Sequence, residues 1–96
     1  MRRNSLFLAL PLLLLPLAAP AAQRTVILAV EKMYCAACPY FVKQTLADLD
    51  GVASVEVSYE SKQARVVFDD ARLSVDDLTA ATTELGYPSR PISGDR

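Results

Sequence analysis

The sequence has no histidine, no tryptophan, two cysteines and three glycines among its 96 residues. Without histidine there is no imidazole general base and no imidazole metal ligand. With two cysteines in addition, one chain cannot close a tetrahedral zinc site from N and S ligands. Basic residues are not in excess, since the formal net charge is −1. Setting aside Arg2 and Arg3 leaves 8 basic against 11 acidic residues, a net −3, with no basic cluster. The electrostatic footprint of a nucleic-acid-binding protein is therefore absent. Hydrophobic residues make up 52% of the chain, but the excess is concentrated at the N-terminus, so the remainder has the composition of an ordinary soluble domain.

That N-terminal stretch reads as an address. Met1-Arg2-Arg3-Asn4 is a short positive region, Leu6 to Leu17 is an apolar core, and Ala19-Pro20-Ala21 offers small residues where a signal peptidase reads. Cleavage after Ala21 is the first choice and cleavage after Ala22 the second. The competing reading is a retained membrane anchor, for which Ser5 to Ala22 is marginal in length and carries Pro11, Pro16 and Pro20. Arg2-Arg3 raises twin-arginine export, but the Leu-rich core directly behind it fits the general secretory route better. No cysteine follows that core, which argues against a lipoprotein. Residues 1–21 are thus expected to be a cleaved signal peptide. Residues 22–96 are expected to be one domain of 75 residues, large enough for a single small core. Export places this domain in the periplasm or outside the cell, where paired cysteines usually oxidise.

Val26, Leu28 and Val30 recur at period two and predict a first strand. The segment Cys35 to Asp50 sets Cys38, Val42, Leu46 and Leu49 at helical spacing, with Asp50-Gly51 as the expected stop. Val55, Val57 and Tyr59 form one inward set; beyond the turn Ser61-Lys62-Gln63, Ala64, Val66 and Phe68 form its partner, predicting a hairpin with one wet face. Ser74 and Asp77 make a capping-box pattern ahead of the stripe Val75, Leu78, Thr82 and Leu85, which Gly86 and Pro88 end. A short last strand is expected over Ser89 to Ile92. The order βαββαβ predicts an α+β ferredoxin-like sandwich, a four-stranded antiparallel sheet with both helices on one face. Right-handed crossovers give strand order 4-1-3-2. Tracing the directions brings the loop Lys32 to Ala36, the turn Ser61 to Gln63 and Gly86-Tyr87-Pro88 to one end.

Cys35-Ala36-Ala37-Cys38-Pro39 lies at that end, the first cysteine in a loop and the second in the first helical turn, where Pro39 is tolerated. The positive end of the helix dipole then faces both sulfurs and favours thiolate. Cys38 shares a face with Val42 and Leu46 and is expected to be buried; Cys35 is expected to face solvent. Two thiolates suit a soft ion that accepts low coordination, Hg2+ or Cu+, and suit Ca2+, Mg2+ or Zn2+ poorly. The alternatives are thiol-disulfide exchange and a plain local disulfide. A thioredoxin-like domain would be longer and often carries proline between its cysteines, while so small a disulfide loop would be a weak staple.

The chain resembles the heavy-metal-associated domain family. The resemblance rests on Met33, Cys35-x-x-Cys38-Pro39, Gly51-Val52, Phe68-Asp69-Asp70-Ala71, Ser74-Val75, Leu78-Thr79, Ala81-Thr82 and Gly86-Tyr87-Pro88-Ser89. It implies that Cys35 and Cys38 bind Hg2+ as a bis-thiolate, with Cu+ the alternative. It also implies that a monomer, acting as a carrier and not an enzyme, passes the ion to an inner-membrane mercuric transporter. Lys32 stands where the family's loop has Gly, and Tyr34 where it has Thr; Lys32 gives up backbone freedom and adds a cation near the site. Met33 reads as packing ahead of a thioether ligand, and Tyr87 as a neighbour that either shields the sulfurs or fills space beneath the loop. Asp69-Asp70 falls at the opposite end, as a solvated turn. Tyr34, Tyr40 and Phe41 flank the cysteines, either as a docking surface or as ordinary packing.

Overall fold

The computed structural model describes residues 23–94. The expected signal peptide and its expected cleavage site lie outside the described residues. The elements are β1 (Gln23–Val30), α1 (Cys38–Ala47), β2 (Val52–Ser58), β3 (Gln63–Asp69), α2 (Val75–Leu85) and β4 (Ser89–Gly94). They build one antiparallel sheet in the order β2-β3-β1-β4, the order expected from crossover handedness. This is the ferredoxin-like βαββαβ sandwich. No described helix is long and apolar enough to cross a membrane.

The core follows from period-two burial meeting two helical stripes. Val26, Leu28 and Val30 of β1, Val55 of β2 and Ala64, Val66 and Phe68 of β3 point to the face that receives Val42 and Leu46 of α1 and Leu78 of α2. Leu28, Val42, Leu46, Val66, Phe68 and Leu78 have no exposed surface.

Both helix starts are explained by their first residues. Ser74 accepts from the Asp77 amide at 3.2 Å, while the Asp77 carboxylate accepts from the Ser74 amide at 2.9 Å, so the expected capping box is formed. Gly86, at φ 110°, takes the left-handed position that ends α2. At α1 no side chain caps the helix, and Ala37 offers none. The chain instead makes a tight turn in which the Cys38 amide donates to the Cys35 carbonyl at 3.1 Å, and Pro39 occupies the first turn.

Three expectations need correction. Helix α1 ends at Ala47, not at Asp50-Gly51; Leu49 donates back to Leu46 in a tighter turn, and Gly51, at φ 112°, serves the entry into β2. The positive φ favours glycine there, and a Cβ would sit 3.0 Å from the Arg72 Cβ, a close contact that adds to the preference. Strand β4 runs on to Gly94 because a bulge absorbs Ile92: Ile27 pairs with Ser93 and Leu28 with Pro91. Pro91 is accommodated because β4 is an edge strand. Tyr59, assigned to the inward set with Val55 and Val57, lies beyond the end of β2 and is 41% exposed.

Candidate metal centre

Strand β1 delivers the chain to the site end, and the next residues must turn back into α1. Lys32 turns it, at φ 70°, a left-handed conformation that costs an L residue with a Cβ about 1–2 kcal/mol. The departure from Gly noted in the sequence thus falls at the position where glycine would be easiest. Lys32→Gly is expected to raise stability by about 0.5 kcal/mol, the relieved strain being partly offset by glycine's greater unfolded-state entropy. Denaturant midpoints of the two proteins check this, and a lower midpoint would contradict it.

Met33 follows and turns inward, with no exposed surface, joining the core. Its burial supports the packing role. Tyr34 then points outward at 79% exposure. Cys35 is exposed and Cys38, the first residue of α1, is 5% exposed beside the buried Val42 and Leu46, as their helical spacing implied. The two sulfurs form a disulfide, with the Cα atoms 5.2 Å apart. The Cys35 amide donates to the Cys38 Sγ at 3.3 Å. Among the described residues no group of three His, Cys, Asp or Glu comes together, so the pair has no third such ligand from this chain. In its reduced form the arrangement offers two sulfurs, one reachable from solvent and one set into the core edge, a geometry for a two-coordinate soft ion.

The other sequence candidates sort by end. The Glu31 amide donates to the Pro88 carbonyl at 2.8 Å, tying the loop to the segment that carries Tyr87. Tyr87 is half-buried and packs against the core. Tyr40 and Phe41 are 60% and 48% exposed and meet edge to face at 5.8 Å between ring centres. Asp69 is the last residue of β3 and Asp70 begins the turn that follows; Asp69 accepts from the Ala71 amide at 2.9 Å and lies 3.7 Å from the Arg72 guanidinium, so the carboxylate pair is engaged where the strand gives way to that turn.

Two residues at the site had no role in the sequence reading. Lys62, half-buried in the β2–β3 turn, donates from Nζ to the Met33 carbonyl at 3.0 Å. Tyr59 donates its hydroxyl to the Tyr34 carbonyl at 3.1 Å. The signal that finds them is topological: strand directions bring the β2–β3 connection, with Tyr59 and Lys62, to the cysteine end, where long polar side chains have the loop within reach. The amine bonded to the loop backbone is that of Lys62, whereas Lys32 was the cation expected to matter.

A CxxC at the head of the first helix of a βαββαβ sandwich, with its first cysteine in a loop tied to two neighbouring turns, defines the class. The chain belongs to the heavy-metal-associated domain family, which matches residues 27–88. It is 51% identical over 69 residues to a protein of Pseudomonas aeruginosa named mercuric transport protein periplasmic component, covering 72% of this chain and 76% of that one. It is 46% identical over 86 residues to the protein of the same name from Salmonella typhi, covering 90% and 94%. Among solved structures, oxidized MerP from Ralstonia metallidurans CH34 superposes with a TM-score of 0.73 at 47% identity, covering 75% of this chain and all of that one. The mercury-bound form of MerP gives 0.67 at 49% identity, with the same coverage. A copper-binding domain from the P-type ATPase HMA7 gives 0.73 at 26% identity, covering 76% and 99%.

Proposed function

We propose that this protein is a periplasmic mercuric-ion carrier in which reduced Cys35 and Cys38 bind Hg2+ as a bis-thiolate and pass it to an inner-membrane mercuric transporter. The observation that carries the reading is the asymmetric sulfur pair at the head of α1, exposed Cys35 and buried Cys38, in a chain whose relatives at 46–52% identity are named for periplasmic mercuric transport. Binding begins with reduction: two electrons and two protons from a thiol reductant convert the disulfide to two thiols. Hg2+ then replaces the two thiol protons. Release reverses the order of access. An incoming thiolate reaches the metal from the Cys35 side, a three-coordinate intermediate forms while the Cys38–Hg bond persists, and the ion changes hands without becoming free.

Export by a leader of residues 1–21 completes the proposal. The mature protein is expected to begin at Ala22 and to appear in the periplasmic fraction, checked by N-terminal sequencing. The full chain, Met1 included, in washed membranes would contradict export with cleavage.

Asymmetric access has its own readout. In the reduced protein near neutral pH, Cys35 is expected to be alkylated several-fold faster than Cys38, because access limits thiolate attack. Peptide mapping after a short pulse of iodoacetamide measures the ratio, and a faster Cys38 would overturn the proposed hand-off.

A second reading, a Cu+ chaperone, draws on the copper-binding relatives of the same fold and on the tolerance of Cu+ for two thiolates. Metal competition on the reduced domain, read by native mass spectrometry, separates the two. One Hg2+ per chain, retained against equimolar Cu+, supports the mercuric carrier; displacement of Hg2+ by Cu+ supports the copper reading. Protein that holds neither ion but exchanges disulfides with a dithiol substrate would instead be an oxidoreductase.

A further inference from the structure

The loop bearing Cys35 is held from outside by the β2–β3 turn. Residues 31–37 contain no regular secondary structure, and a segment of that kind opens locally unless something ties it down. Two consecutive carbonyls of the loop, those of Met33 and Tyr34, accept from the side chains of Lys62 and Tyr59 at 3.0 and 3.1 Å. These two donors also support each other. The Lys62 Nζ lies 3.5 Å from the centre of the Tyr59 ring, where the ring's negative face attracts the ammonium. Lys62 is itself at φ 59° and its carbonyl accepts from the Val30 amide at 2.9 Å, which joins the turn to the end of β1 immediately before the loop. From this turn the Lys62 side chain reaches the loop that carries Cys35.

We infer that Lys62 and Tyr59 are positioning residues that clamp the Met33–Tyr34 backbone and thereby set how readily Cys35 swings away from Cys38 and how fast a bound soft ion is released. The clamp itself is a property of the disulfide form described; its effect on release rests on the carrier reading. No bond is made or broken covalently by either residue. Their action is to keep Cys35 near Cys38, so that a competing thiol must either attack the closed pair or wait for the loop to open.

The test separates the clamp from the carrier function. In the oxidised domain, which needs no metal, the Tyr34 and Cys35 amides donate within the loop, to the Lys32 carbonyl and to the Cys38 Sγ, so their hydrogen exchange reports loop opening. Lys62→Met keeps the long apolar stem and removes the donor. It is expected to speed exchange at these two amides about fivefold, the scale of one net hydrogen bond, while the amides of Leu28 and Val66 in the central strands keep their protection. Tyr59→Phe, which loses only the hydroxyl, is expected to give a smaller change in the same direction, and Lys62→Arg to restore protection. Unchanged exchange at Tyr34 and Cys35 in both Lys62→Met and Tyr59→Phe, or a loss of protection spread equally over the central strands, would overturn the clamp.

In the reduced domain loaded with Hg2+, transfer of the ion to excess dithiothreitol is expected to be several-fold faster for Lys62→Met than for the unsubstituted protein or Lys62→Arg, with one ion per chain in all three. Faster hydrogen exchange with unchanged transfer would overturn the control of release while leaving the clamp in place. Failure of the unsubstituted protein to hold Hg2+ would overturn the carrier reading and with it the release step, and the oxidised-state measurement would still decide the clamp.

Discussion

Replacing either cysteine by serine is expected to abolish tight Hg2+ binding by the reduced protein while leaving the domain folded. A soft ion held by two thiolates of one chain gains from the second an intramolecular ligand, an advantage of about 10²–10⁴-fold over a single site at equal intrinsic affinity. A serine hydroxyl is a hard, neutral oxygen and does not replace it. The structural costs differ between the two positions. Either change removes the very small disulfide loop of the oxidised form, and since Cys35 is exposed Cys35→Ser carries no further burial cost. Cys38 is 5% exposed against the core, and placing a hydroxyl there costs about 1–2 kcal/mol. Competition titrations with a chelating dithiol measure the first effect and denaturant melts the second. Tight binding retained by the double serine variant would contradict the ligand assignment, and unfolding of both single variants would make the pair a structural staple instead.

The second large effect concerns Met33, the one soft side chain besides the cysteines within the loop. With no exposed surface and a place in the core, it acts through packing. Met33→Ala is expected to lose about 2–5 kcal/mol of stability, the range for removing a long buried aliphatic side chain and leaving a cavity. Met33→Leu, which keeps the volume, is expected to cost less than about 1.5 kcal/mol. The leucine variant is also expected to bind Hg2+ as the unsubstituted protein does. Melts and titrations on the same three proteins check both statements. A leucine variant that melts normally and yet binds far more weakly would reassign Met33 as a thioether ligand.

Much of this architecture was legible because local signals and fold agree. The alternation of Val26, Leu28 and Val30 marks a strand buried on one side, and Ser74 with Asp77 marks the start of α2 to the residue, since both partners of the box are encoded locally. Strand order and the end at which the cysteines lie followed from connection handedness, which restricts a βαββαβ chain to few arrangements. The unequal exposure of Cys35 and Cys38 followed from the phase of Cys38 with Val42 and Leu46. What escaped depends on through-space details. Ile92 is the one aliphatic residue in a short, otherwise polar strand, and only its register against β1 makes it the bulged residue. Tyr59 continues the inward alternation in the sequence, but β2 ends before it and its hydroxyl finds the Tyr34 carbonyl. Lys62 reads as a solvated turn lysine until the loop is brought beside it. The departure at Lys32 was visible as a residue, whereas its positive φ was not.

The central claim is that Cys35 and Cys38 alone ligate a mercuric ion after their disulfide is reduced. Mercury X-ray absorption on the reduced protein loaded with one equivalent tests it most directly, with the oxidised protein measured alongside. The account predicts a first shell of two sulfurs and nothing else in the reduced protein, and no protein-bound mercury while the disulfide is intact. A first shell containing oxygen or nitrogen, a third sulfur in a monomeric sample, or mercury retained by the oxidised form would contradict it.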